Sequence, residues 1–243
     1  MKNIKPYNNL KNKKTQITNM FDNIAPTYDF INGLMTFKMD VLWRKKAVKK
    51  INNNPKKILD IATGTGELAI IAAKYTDAII TGLDISKKMI DIGLQKIKKQ
   101  NLSDRISFLL ADAEILPFKN QSFNAITIGF GLRNFENMDQ GLRESYRVLK
   151  NNGVIVIIEP SIPDNLIFKC LHRLYFSFLV PILGKIISKD KYAYQYLIDS
   201  VKAFPSQNII LNKLRNSGFK NCNHTQINLG IISLYTGHKL KCN

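Results

Sequence analysis

Lys57-Ile58-Leu59-Asp60-Ile61-Ala62-Thr63-Gly64-Thr65-Gly66-Glu67 is the stretch that decides the fold. An apolar run carries an acid, a loop with two glycines follows, and Glu67–Tyr75 continues with helical composition. Glycines let a backbone approach a ligand closely, and the loop delivers the positive end of a helix to the same place. Working outward, KILDIAT (57–63), AIITGLDI (78–85), ISFLLAD (106–112), FNAITIGF (123–130) and GVIVIIEP (153–160) read as strands. Glu67–Tyr75, Lys87–Lys99 and Met138–Leu149 read as the helices between them, with Ser86 as an N-cap whose hydroxyl accepts a free backbone N–H. Strands that are apolar almost throughout are buried on both faces, as in a parallel sheet covered by helices. Five β-α units therefore predict a doubly wound α/β fold.

The ends depart from this pattern. Residues 1–55 hold no strand run, and Thr36–Ile51 reads as a helix stopped by Asn52-Asn53-Asn54-Pro55. Residues 162–205 form a largely helical insertion in which aromatic and aliphatic residues alternate with Lys169, His172, Arg173, Lys185, Lys189 and Lys191. Ser206–Ser217 reads as a capped helix closed by Gly218, and the extended runs 219–229 and 231–239 meet at Gly230 as an antiparallel pair. The expected organisation is one domain over 1–243: an N-terminal helical lid (1–55), a cofactor-binding core (56–161), a substrate cap (162–205) and a closing helix and strand pair (206–243).

With 243 residues, 45% hydrophobic and 22% charged, the chain is long enough for a buried core and is neither a disordered tail nor a membrane bundle. The abnormal quantity is a net charge of +18. It suits nucleic acid or an anionic membrane; it equally suits compositional bias, since 29 of 36 cations are Lys and Asn and Ile abound as well. Residues 1–57 carry +10, residues 58–161 carry 0 and residues 162–243 carry +8, so the excess lies in the flanks. Cys170, Cys222 and Cys242 have no metal-ligand spacing, so no metal site is expected and a reducing cytosol is the natural compartment. No secretory signal opens the sequence, and the apolar stretch Leu174–Gly184 is too short to span a bilayer.

Gly64-x-Gly66-x-x-Ala69, with Asp84 twenty residues after Gly64, also fits the loose dinucleotide fingerprint, so a NAD enzyme competes at this point. Three features favour S-adenosylmethionine. Asp60 suits the cationic aminocarboxypropyl end, directly or through water, better than a pyrophosphate. The third strand ends in Asp112-Ala113-Glu114, placed to hydrogen-bond an adenine amine. The chain closes with an antiparallel pair rather than another β-α unit. Acids ending three successive strands, with that pair, resemble the class I S-adenosylmethionine-dependent methyltransferase fold, a Rossmann-like sheet. The expected cofactor residues are Asp60, Gly64, Thr65, Gly66, Asp84, Asp112 and Ala113. Separately, Asp84 could cap a helix and Asp112 could serve a turn.

Phe21-Asp22-Asn23-Ile24-Ala25-Pro26-Thr27-Tyr28-Asp29-Phe30-Ile31-Asn32, continuing to Trp43, resembles the first signature of the ubiquinone/menaquinone biosynthesis C-methyltransferases (UbiE/MenG type). Arg147–Gly153, continuing through Glu159-Pro160-Ser161, resembles their second, and Gly131-Leu132-Arg133-Asn134 matches their segment after the fourth strand. The chain departs from the family at Thr36, usually Ser; at Asp40, usually His; at Asn151-Asn152, usually Pro-Gly; and at Pro160, often aromatic. Asp40 replaces a titrating ring with a carboxylate, which favours a structural part for that position.

The resemblance implies C-methylation of a prenylated quinol: demethylmenaquinol to menaquinol, or the equivalent ubiquinone precursor. Such chemistry needs a stabilised phenolate and an acceptor for the ring proton. Arg133 is the expected cation, because it follows strand four, close to the cofactor in this fold; a guanidinium is too weakly acidic to serve as a simple base, so the ring proton is expected to leave through a water held by Asn134 or a carboxylate. The competing role for Arg133 is a salt bridge to Glu136 or Glu159. Tyr28 and Asp29 suit a lid, although Phe21, Tyr28, Phe30 and Trp43 equally suit packing. Leu166, Ile167, Leu171, Leu174, Tyr175, Phe178 and Leu179 suit either an amphipathic cap on anionic lipid or ordinary core. The expected setting is cytoplasmic, with peripheral contact at the inner face of the cell membrane and no nucleic-acid partner. Another class I methyltransferase, acting on a small phenol or RNA, is the alternative. A base N-methyltransferase of the D/N-P-P-Y/F type is not, because that motif is lacking after the fourth strand.

Overall fold

The computed structural model describes residues 4–7, 10–174 and 191–241. Its centre is a seven-stranded sheet in the order β3-β2-β1-β4-β5-β7-β6. The strands are β1 (Lys57–Ile61), β2 (Ile79–Asp84), β3 (Ile106–Leu110), β4 (Phe123–Gly129), β5 (Leu149–Pro160), β6 (Lys220–Ile227) and β7 (Ile232–Lys239). β1 to β5 are parallel, whereas β7 lies antiparallel between β5 and β6. The expected doubly wound sheet with an antiparallel closing pair is therefore observed.

Alternation along the strands builds two cores. Ile58, Ala125, Val154, Val156 and Ile158 face one side, with α2 (Met39–Val48) and α3 (Glu67–Tyr75). Leu59, Ile61, Ile126, Ile128, Ile155 and Ile157 face the other, with α5 (Met138–Val148) and a C-terminal helix. A third cluster lies outside the sheet. There Ile17, Met20, Ile24, Ile31 and Met35 of α1 (Lys13–Met35) pack with Tyr194, Tyr196 and Ile198 of α7 (Lys191–Ala203) and with Met89 of α4 (Lys87–Lys99). α6 (Leu166–Leu174) precedes α7, and α8 (Gln207–Asn216) is the C-terminal helix.

Three local expectations change. The helix expected over Thr36–Ile51 is shorter, because Phe37 and Lys38 adopt positive φ and break the chain between α1 and α2. The expected helical lid proves to hold one long helix, α1, whose bounds the sequence does not mark and which has Pro26 in its interior, with Asn12 accepting the Thr15 N–H at its start. Ser206 makes no side-chain capping bond, whereas Ser86 accepts the Met89 N–H as expected. Of the proposed apolar stripe, Leu166, Ile167 and Leu174 are exposed, which argues against sheet core. Tyr175, Phe178, Leu179, Lys185 and Lys189, the side chains of Leu171, His172, Arg173 and Lys191, and Cys242 lie outside the described residues.

Packing beneath the glycine loop is tight. A Cβ on Gly82 would lie 2.5 Å from Phe108 Cδ1 and 2.9 Å from Thr63 Oγ1, and one on Gly66 would lie 2.6 Å from Phe108 Cζ. Gly82→Ala should therefore cost about 1–3 kcal/mol through overpacking, lowering the melting temperature by about 2–12 °C. Phe108→Leu in the same background should recover part of that loss in a calorimetric double-mutant cycle.

Candidate active site

The C-terminal ends of β1, β2 and β3 bring acids to one cavity. Asp60, Gly64, Thr65, Asp84, Asp112, Ala113 and Asn134 all line it, so seven of the nine residues expected from sequence converge. Gly66 does not reach the lining. It precedes α3 at φ +82 and lies against Phe108, so its part is to make the turn and admit that ring. Gly64, at φ +57, has nothing within 4 Å of where a Cβ would stand and leaves its side of the loop open.

Each acid has a distinct environment. Asp60 is fully buried between two hydroxyls, accepting from Thr63 Oγ1 and Thr127 Oγ1 at 2.6 Å each. Burial pushes its carboxyl up to about 6, against the opposing pull of those hydroxyls and of Arg44. Asp84 accepts the Gly64 N–H at 2.8 Å and the Ser86 N–H at 2.9 Å, so it shapes the glycine loop as well as the start of α4. Burial raises its pKa too. Asp112 lies two residues past β3 and is held by Lys14 Nζ at 2.6 Å; the same ammonium reaches Glu114 at 3.1 Å.

A helical lid crosses these strand ends. Besides Lys14, α1 carries Asp22, which accepts from Ser86 Oγ at 2.6 Å after β2. It also carries Asp29, which accepts from Thr65 Oγ1 at 2.6 Å after β1 and pairs with Lys96 of α4 at 2.9 Å. These positions recur at about two helical turns and meet the ends of β3, β2 and β1 in succession. Lys13 Nζ donates to the carbonyls of Arg133 and Phe135, fixing the start of the lid.

Beyond the lid is a second cavity of about 480 Å³, mostly apolar, lined by Met35, Phe37, Met39, Trp43, Phe168, Leu197 and Leu229 among others. Arg133 borders this cavity, not the first. Its guanidinium pairs with the fully buried Glu159 at 2.9 Å and donates to the Phe130 carbonyl, so the expected alternative salt bridge does form, with Glu159. Burial pushes the Glu159 carboxyl up, and Arg133 beside it opposes that push. Asn134 accepts from Tyr196 Oη at 3.2 Å. Tyr28, Arg44 and Phe130 line both cavities and form the partition between them. Arg44 lies over the Phe130 ring at 5.1 Å and is paired with Asp40. Sequence reasoning named Tyr28 but missed Lys14, Arg44 and Phe130; the one signal for Arg44 was its place directly after the first signature.

The donor set suits S-adenosylmethionine. A buried carboxylate held only by hydroxyls leaves room for a cationic group, an acid ends β2 beside the glycine loop, and a third acid follows β3.

The ubiE/COQ5 methyltransferase family matches residues 8–239. The chain is 42% identical to a demethylmenaquinone methyltransferase of Bacteroides fragilis, covering 97% of each. It is 46% identical to the ubiquinone/menaquinone biosynthesis C-methyltransferase UbiE of Geotalea daltonii, covering 95% of this chain and 99% of that one. Among solved structures, a possible histamine N-methyltransferase of Thermotoga maritima superposes with a TM-score of 0.66 at 17% identity, covering 91% of this chain and 99% of the other. The [4+2]-cyclase SpnF does so with 0.66 at 18%, covering 94% and 97%. These two show the shared fold alone. Family match and full-length relatives together establish that the chain belongs to the ubiE/COQ5 methyltransferase family and is an S-adenosylmethionine-dependent methyltransferase.

Proposed function

We propose that this enzyme methylates a ring carbon of a prenylated quinol, converting demethylmenaquinol to menaquinol, with the equivalent ubiquinone precursor as the second substrate class. The observation that carries this reading is the pair of cavities. An acid-lined cavity at the strand ends meets a large apolar one across Tyr28, Arg44 and Phe130. An apolar chamber with a few polar groups suits a fused aromatic ring bearing oxygens. The names of the full-length relatives support the quinone assignment.

S-adenosylmethionine supplies a methyl group on a cationic sulfur. The chain's residues do the rest. Asp60, Gly64, Thr65, Asp84, Asp112 and Ala113 would hold the cofactor, with Asp112, paired with Lys14, as the partner for the adenine amine. Carbon is a weak nucleophile until the neighbouring hydroxyl ionises, so a cation fixed on the quinol side raises reactivity by holding the oxyanion. Arg133 fills that part, braced by Glu159 and the Phe130 carbonyl. Asn134 holds a water that carries the ring proton away. The lid excludes bulk water, which strengthens these charges.

The prenyl tail leaves through the mouth of the apolar cavity. Phe37 and Leu229 line the cavity and are exposed, and Leu166 and Ile167 of α6 are exposed as well. No helix of the described residues is long and apolar enough to cross a membrane. This rim, with Lys38 and Lys169, grazes the inner face of the cell membrane, so the enzyme works at the cytoplasmic surface with α6 at the edge of the apolar mouth.

Purified protein given labelled S-adenosylmethionine and a reduced short-tail demethylmenaquinone should label the quinol; label in RNA instead would overturn the reading. In that assay Arg133→Met should lose turnover and also destabilise the fold by about 3–5 kcal/mol, because Glu159 is left as an unpaired buried charge. Arg133→Met with Glu159→Gln should regain the melting temperature but not the turnover. Cofactor affinity should follow Asp60. Above pH 6 the carboxylate is ionised and ready for a cation, whereas below it a proton must first leave. Calorimetric affinity should therefore weaken by up to about tenfold per pH unit below 6, and Asp60→Asn should flatten that slope. Co-sedimentation with anionic liposomes should weaken with salt and in Phe37→Asp/Leu229→Asp; binding indifferent to lipid charge and salt would leave the net charge as compositional bias.

A further inference from the structure

We infer that Arg44, held in place by Asp40, is the receptor for the carboxylate of the cofactor's amino-acid end. The inference rests on S-adenosylmethionine occupying the acid-lined cavity. That end of the cofactor carries an ammonium and a carboxylate, so its site needs both signs of charge. Among the described residues lining the cavity, the cations are Lys14 and Arg44. Lys14 is engaged by Asp112 and Glu114 beyond β3, at the adenine end. Arg44 stands at the other end, close enough to lower the pKa of both Asp60 and Tyr28 electrostatically. Arg133 cannot substitute, because it does not border this cavity.

The guanidinium has donors to spare. Asp40 takes one N–H, and the remaining donors of a five-donor fork are left for a ligand. Buried side-chain atoms without a partner among the described residues are found on Trp43, Asn53 and Arg133. None belongs to Arg44, so its donors that Asp40 does not take are reached from the cavities it lines.

Asp40 acts through Arg44. The chain reverses at Phe37 and Lys38, both at positive φ, and starts α2 with Asp40 in the first turn and Arg44 one turn later. Thr36 Oγ1 donates to Asp40 at 2.8 Å, so the carboxylate is itself fixed before it grips the guanidinium. Both partners are buried, and the guanidinium is further confined over Phe130. A positioned pair of this kind loses little side-chain freedom when the ligand's carboxylate arrives.

The test compares calorimetric binding of S-adenosylmethionine with that of its decarboxylated analogue, which lacks only the group in question. Wild-type protein should favour the intact cofactor by about ten- to a hundred-fold, the scale of charge-assisted hydrogen bonds. Arg44→Met should reduce that ratio to near one, and Arg44→Lys should retain part of it. Because Arg44→Met strands a buried Asp40, the double variant Asp40→Asn/Arg44→Met provides the same test without an unpaired charge. Asp40→Asn alone should lower the ratio less. Equal weakening of both ligands, with the ratio preserved, would overturn the inference. Wild-type protein that binds neither ligand would overturn the cofactor assignment and this inference with it.

Discussion

The lid's grip on the strand ends is the interaction on which the site depends. Parallel strands deliver Asp60, Asp84 and Asp112 to one edge of the sheet, and that edge would be open to water without α1. Lys14, Asp22 and Asp29 tie the helix to the segments after β3, β2 and β1, and its apolar face is covered by α7. A hydrophobic contact alone would let the helix slide. Polar contacts to three separate loops set its register, so the partition formed by Tyr28 and Arg44 stands at a defined place between the cavities.

Burial of charge sets the character of that site. Asp60 and Glu159 are fully enclosed, and each is raised by the loss of water around it. They are satisfied in opposite ways. Glu159 has a guanidinium and forms a closed unit that positions Arg133, whereas Asp60 has only two hydroxyls and remains receptive to a cation. One buried carboxylate is thus closed off by a cation and the other is held by neutral hydroxyls alone. Resemblance of the fold to a [4+2]-cyclase as well as to methyltransferases makes the same point at larger scale, because the sheet provides the edge and the side chains along it decide the chemistry.

Part of the unusual basic charge also finds a place inside the molecule. Lys13 is buried against the carbonyls of Arg133 and Phe135, and Lys14, Lys96 and Arg44 all hold carboxylates around the cavity. These cations of the N-terminal flank and of α4 are matched within the fold.

The core was legible from residues 57–160 because each of its elements is local. Apolar runs, a glycine loop and a capping serine act on neighbours in sequence, and the strands lie within a few residues of where their patterns place them. The acids at the strand ends were legible for the same reason, since a parallel sheet puts every such end on one edge. A helical lid was expected over 1–55, but the bounds of α1 were not legible, because Pro26 and a weakly amphipathic pattern hide a helix whose apolar face is completed by α7, more than 150 positions away. Only the tertiary structure decided that Gly66 serves Phe108, that Arg133 belongs to Glu159 and the apolar cavity, and that Arg44 lines both cavities. Those outcomes depend on which distant side chains share a buried space, and charge, volume and hydrogen-bond demand are settled there jointly rather than along the chain.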